Sequence, residues 1–318
     1  MMFIYYNVMR AQESKIRKGL ILAKEEDKAE DKENQDEANQ SDSSFEDAPA
    51  DDSDFLGRIK YSVKKQGWYA DLKICLGVLT RLPVYIGASP EDFSIVGASR
   101  LFPIVGAIIG VIAGTVLWMG SWFDLPSAVL ALLALLTMTL VTGALHEDGL
   151  ADTFDGLGGG ITREQKLTIM RDSQIGSYGV MALLFSFGLR WAALSEITED
   201  GIDVALIVLI AVAAASRAAL PAVMHYVPVA REDGLSAGAG KPTFDRAITA
   251  VLIGVAFLLF LLGFRTSIVA LGLAVLVAGF FVYFVATRLG GQTGDVLGAT
   301  QQISETTLLL AILMVGLE

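Results

Sequence analysis

The chain has 318 residues, 53% of them hydrophobic, a mean hydropathy of +0.54 and one cysteine, Cys75. That balance excludes an ordinary soluble domain, and a lone cysteine excludes an intramolecular disulfide. The net charge of −11 is concentrated in residues 25–54, where fourteen Asp and Glu stand against two Lys, so the rest of the chain is close to neutral. Several apolar blocks reach the about 20 residues that a helix needs to cross a bilayer. The expected fold class is all-α: a polytopic integral membrane helical bundle with about six to eight membrane segments.

Residues 1–54 read as an N-terminal extension. Its opening, "MMFIYYNVMR", is too short and poorly flanked for a secretory signal peptide. Its acidic stretch holds too little apolar surface to offset the entropy of ordering, and is expected to be a disordered tail. Residues 55–71 mix basic and aromatic side chains ("FLGRIKYSVKKQGWY"), which suits a helix at an anionic membrane interface. Residues 72–318 are expected to form the membrane-embedded catalytic domain. Within it, 71–87 is interrupted by Arg81 and Pro83 and reads as a re-entrant or interfacial segment. Clean spans are expected at 104–122, 127–145, 178–194, 204–226, 247–263 and 267–287, with a short apolar segment at 306–317 whose fate stays open.

The connections alternate in charge. Those around Arg100, Arg163–Lys166–Arg171, Arg231–Lys241–Arg246 and Arg288 are basic, whereas the opposite turns hold Arg265 alone. The positive-inside rule places the basic set, and with it every charged motif, in the cytoplasm.

One of those motifs follows the hydrocarbon run "LALLALLTMTLVT": "GALHEDGLADTFDGLGGG", residues 143–160. Asp148, Asp152 and Asp155 are spaced i, i+4, i+7, which on a helix puts three carboxylates on one face. Like charges in such a row repel, and near a bilayer they are costly. A hard divalent cation, Mg²⁺ or else Mn²⁺, relieves the repulsion and also binds phosphate oxygens. His146 reads as an orienter, a base or a ligand, and Glu147 as solvated. Arg81, Arg100, Arg171, Asp172 and Asp295 are candidates for substrate contacts on the same side. Arg190 reads as snorkelling near a helix end, while Arg217, inside a span, demands a partner. Acids with arginines at a membrane surface point to transfer of a phosphoryl group from a pyrophosphate donor.

"TRLPV" (80–84), "SRLFPIVGAIIG" (99–110), "TGALHEDGLADTFDG" (142–156), "IMRDSQIGSYG" (169–179) and "GGQTGDVLGA" (290–299) occur in that order. Together they resemble the adenosylcobinamide-GDP ribazoletransferase, or cobalamin (5′-phosphate) synthase, family. The H-x-D-G-L-A-D-T-x-D-G string is the specific element, and the acidic extension is the departure. The resemblance implies a Mg²⁺-dependent, multi-pass bacterial inner-membrane enzyme. It would join adenosylcobinamide-GDP to α-ribazole or its 5′-phosphate and release GMP. It implies Asp148, Asp152 and Asp155 as metal ligands, with one of them or His146 as the base. Arg100, Arg171 and Asp295 would make phosphate, nucleotide or supporting contacts. The partners implied are these small molecules and membrane lipid, not nucleic acid; a homo-oligomer is left open. Two other readings fit less well. A CDP-alcohol phosphotransferase would have Arg where Asp152 stands, and a cation transporter would place acids at mid-span within an inverted repeat.

Overall fold

The computed structural model describes residues 67–84 and 94–316. The acidic tail, most of the 55–71 segment and the last three residues of the 71–87 segment lie outside the described residues. What is described is all-α apart from one isolated β-bridge between Val229 and Gln292.

The helices run in chain order. α1 (Trp68–Leu79) and the short α2 (Ile95–Ala98) precede α3 (Phe102–Ser121), which has Pro103 in its first turn, where a missing N–H costs nothing. α4 (Ser127–Thr142), α5 (Leu145–Gly159) and α6 (Arg163–Ile169) follow, and then the long α7 (Ser177–Asp200) and α8 (Ile202–Tyr226). A short α9 (Leu235–Ala239) leads to α10 (Phe244–Leu262), α11 (Phe264–Leu289) and α12 (Gly294–Val315).

Six helices among the described residues are long and apolar enough to cross a membrane: the stretch ending in α3, then α7, α8, α10, α11 and α12. We read α4 as a seventh crossing. At one end of the bundle the turns are minimal, since α7 meets α8 at Gly201 and α10 meets α11 at Gly263. The long connections and the acidic motif gather at the other end.

Close backbone approach holds the bundle together. A Cβ on Gly106 would fall 2.1 Å from the Ala213 carbonyl oxygen, and one on Gly110 would fall 2.6 Å from the Ile210 Cα. Glycine at every fourth position thus lets α3 lie directly on α8, the device that replaces the hydrophobic effect where lipid is as apolar as the helices.

Two spans differ from the sequence expectation. The second does not run straight to residue 145. Gly143 and Ala144 both take the left-handed conformation (φ +64° and +58°), and the Ala144 and Gly143 N–H groups donate to the Thr139 and Leu140 carbonyls. This paired closure ends α4, and α5 departs at 87° to it. α5 therefore does not continue the crossing. The last span is not the short 306–317 segment but the whole of α12, the most enclosed of the six.

Candidate active site

α5 carries "HEDGLADTFDG" across the end of the bundle, against the first turns of α12. The two backbones nearly touch. A Cβ on Gly149 would lie 2.7 Å from the Asp295 carbonyl oxygen, and one on Gly298 would lie 3.3 Å from the Gly149 Cα. This approach sets Asp295 beside two acids of the α5 stripe, the exposed Asp148 and the half-buried Asp152. Burial first, and then the carboxylates of Asp148, Asp295 and Asp155, push the Asp152 carboxyl up to about 7, while the Arg231 guanidinium opposes the shift. Neither Asp148 nor Asp152 is hydrogen-bonded through its carboxylate to another described residue. Asp295 accepts from Arg231 at 3.3 Å and from the Thr293 hydroxyl at 3.2 Å.

Asp155 is engaged elsewhere. It is buried and accepts from the Gly176 N–H (2.7 Å) and the Gly179 N–H (2.8 Å), capping the start of α7. Both glycines are needed, since a Cβ at either would stand within 2.4 Å of an Asp155 oxygen. The expected three-acid stripe is thus Asp148 and Asp152 from α5, with Asp295 as the third neighbour.

The other sequence candidates divide. Arg81 is exposed, with its side chain over the Gly143 turn that launches α5. Arg100 is ion-paired at 2.6 Å with the buried Asp71 and lies 4.2 Å from the Trp68 ring, tying α1 to the start of α3. Arg171 pairs with Asp233 at 2.5 Å on an exposed surface. Asp172 is exposed and accepts from the Gln174 N–H within its own turn. His146 is 2% exposed, and neither ring nitrogen has a partner among the described residues. The charges acting on it are those of Arg217 and Arg190.

Those arginines belong to a network that the sequence reading missed. Arg190 does not snorkel; it is buried and pairs with Glu305 at 2.9 Å and Glu147 at 3.7 Å. Arg217 finds the partner it demands in the same Glu305, at 3.6 Å. Gln301 donates to Glu305 (2.6 Å) and Gln302 donates to Glu147 (3.2 Å). Glu147 is therefore not solvated; it joins α5 to the interior of the bundle. Arg231 was missed as a site residue too, because it sits in a polar connection with no motif around it.

The sequence compared with known proteins now decides the family. The family model described as cobalamin-5-phosphate synthase matches residues 71–313. The chain belongs to the cobalamin-5-phosphate synthase family. Among its relatives is the adenosylcobinamide-GDP ribazoletransferase of Bradyrhizobium diazoefficiens, 46% identical over 241 residues, which cover 76% of this chain and 92% of that one. The protein of the same name from Azorhizobium caulinodans is 44% identical over 253 residues, covering 77% and 96%. No solved structure matches.

Proposed function

We propose that this membrane transferase joins adenosylcobinamide-GDP to α-ribazole, or to its 5′-phosphate, with release of GMP. The family match over residues 71–313 carries this reading, because it includes every residue of the acidic face. A hydroxyl of the ribazole attacks the phosphorus nearer the cobinamide arm. A new P–O ester bond forms, the bond between the two phosphates breaks, GMP leaves with that electron pair, and the hydroxyl proton passes to a carboxylate. Of the candidates to accept it, Asp148 is exposed and without an internal partner among the described residues, whereas His146 is enclosed beside arginines.

The residues suit a magnesium ion. Three hard oxygen donors, Asp148, Asp152 and Asp295, share one face, and their mutual repulsion is what a cation removes. Among the described residues no three such groups close into a ready cage. Mg²⁺ is commonly held by one or two carboxylates together with phosphate oxygens, so the substrate would supply part of its shell. When bound, the ion would neutralise charge on the diphosphate. Asp155 holds α7 in place beside this face.

We further place the protein in the inner membrane with the acidic end towards the cytoplasm. Arg163, Lys166, Arg171, Lys241 and Arg288 lie at that end, while Arg265 lies at the other.

The test is GMP release by detergent- or liposome-held protein given adenosylcobinamide-GDP, α-ribazole and Mg²⁺. Release that needs both ribazole and metal, and collapses in Asp152→Asn, is expected. No release from folded wild type with either form of ribazole sinks the reading.

A further inference from the structure

Three arginines are sequence candidates for substrate contact, yet the guanidinium that reaches the acidic face is a fourth, Arg231. It lies in the connection between α8 and α9, and that connection is fixed immediately before it. The Ala230 N–H donates to the Gln292 carbonyl, and the Gln292 N–H donates to the Pro228 carbonyl, both at 2.8 Å. Arg163 donates to the Ala230 carbonyl and to the Leu289 carbonyl, clamping the same connection to the end of α11. Gly291 makes the approach feasible, since a Cβ there would fall 2.3 Å from the Pro228 carbonyl oxygen. The Arg231 backbone is therefore presented by a bracket rather than by a loose loop.

Its side chain is incompletely matched. The side chain is 17% exposed, with one terminal nitrogen 3.3 Å from Asp295 and Nε 3.9 Å from Asp233. The other terminal nitrogen is buried and has no partner among the described residues. A well-made charge-assisted bond measures about 2.7–2.9 Å, so both carboxylate contacts are loose. A buried guanidinium N–H without an acceptor is an unfavourable state that an anion would relieve. The face beside it carries Asp148, Asp152 and Asp295, which by themselves repel a phosphate. A substrate diphosphate approaching those acids needs a fixed cation with free donors next to them, and Arg231 supplies both.

We propose that Arg231 binds the diphosphate of the nucleotide-bearing substrate through its unpartnered N–H groups. This rests on the acidic face being the nucleotide-transfer site. It assigns the anchoring role to a residue outside every motif, and it frees Arg100 and Arg171 for the structural ion pairs in which they stand. The planar fork suits two phosphate oxygens at once, which a lysine ammonium does not.

The experiment uses the full chain in detergent with Mg²⁺, reading GDP binding by equilibrium dialysis and GMP release by turnover. Arg231→Ala is expected to weaken GDP about 10- to 100-fold, the range for losing charge-assisted bonds to one group. Arg231→Lys keeps a charge beside Asp295, so it guards against a folding failure, and it is expected to bind GDP several-fold more weakly than wild type. GDP bound equally by wild type and either folded variant overturns the proposal, as does a wild type that does not bind GDP. Active wild type with unchanged GDP binding in the variants sinks the role of Arg231 alone. Binding of GDP through Arg231 without any GMP release sinks the ribazole-transfer reading and leaves the diphosphate anchor standing.

Discussion

Asp152 and Asp155 sit three residues apart on one helix, yet they face different tasks and should fail differently. Asp152 is half-buried among other carboxylates with only Arg231 opposing them, so Asp152→Asn removes repulsion and should leave the protein at least as stable as wild type. Its GMP release should fall about 10²- to 10³-fold, the scale of losing one charge-stabilising group at a reacting phosphate. Asp155→Asn keeps one acceptor but turns an NH₂ group toward a backbone N–H at the start of α7. It should lower stability by about 1–3 kcal/mol, the penalty of leaving a buried donor unmatched. Thermal unfolding in detergent, measured beside turnover, separates the two. The sequence shows the three aspartates as equals because their spacing repeats on one face. What distinguishes Asp155 is the arrival of Gly176 and Gly179 from a helix about twenty residues on, and the only local sign of that is the glycine pair itself.

At the scale of helices, the crossing of α5 over α12 is set by Gly149. Its replacement by Ala puts a methyl 2.7 Å from the Asp295 carbonyl oxygen, so the two acid-bearing backbones must separate. A displacement near 1 Å at a reacting centre costs about 10²-fold in rate, so Gly149→Ala should lose turnover of that order while remaining membrane-inserted, as a kcat measurement on purified protein would show. Glu305 is the counter-charge of two buried arginines, and Glu305→Ala leaves Arg190 and Arg217 with Glu147 alone. A loss of about 3–5 kcal/mol in unfolding is expected. The spans α3, α8, α10 and α11 were legible in sequence because continuous hydrocarbon announces them. α12 was not, because "ATQQISET" interrupts its apolar run, and there Glu305 meets arginines of α7 and α8 and Gln301 meets Ser216 of α8 instead of lipid. The signal was indirect: two arginines within spans imply an acid within another. The bend at Gly143–Ala144 was hidden for a different reason, since an alanine in the left-handed region has no sequence signature.

For the molecule as a whole, the helix order puts α5, the α8–α9 connection and the start of α12 at one end, which is the end rich in basic residues. The native thiol, Cys75, is 1% exposed and so provides a quiet background for labelling. A membrane-impermeant maleimide applied to spheroplasts should modify Asp200→Cys, at the far end of α7, and spare Glu164→Cys, which should react only after the membrane is opened. The reverse pattern would invert the proposed orientation. Arg190 and Arg217 enter the bilayer on α7 and α8, but the glutamate that neutralises both lies on α12, later in the chain. During synthesis, then, two arginine-bearing helices must wait in lipid with Glu147 as their only acidic neighbour in this network until the last one arrives. α12, the least apolar of the six long helices, is drawn in by those waiting arginines. A chain ending at residue 293 would leave the two arginines without Glu305, and pulse-chase should show it cleared by membrane proteases far faster than the full chain.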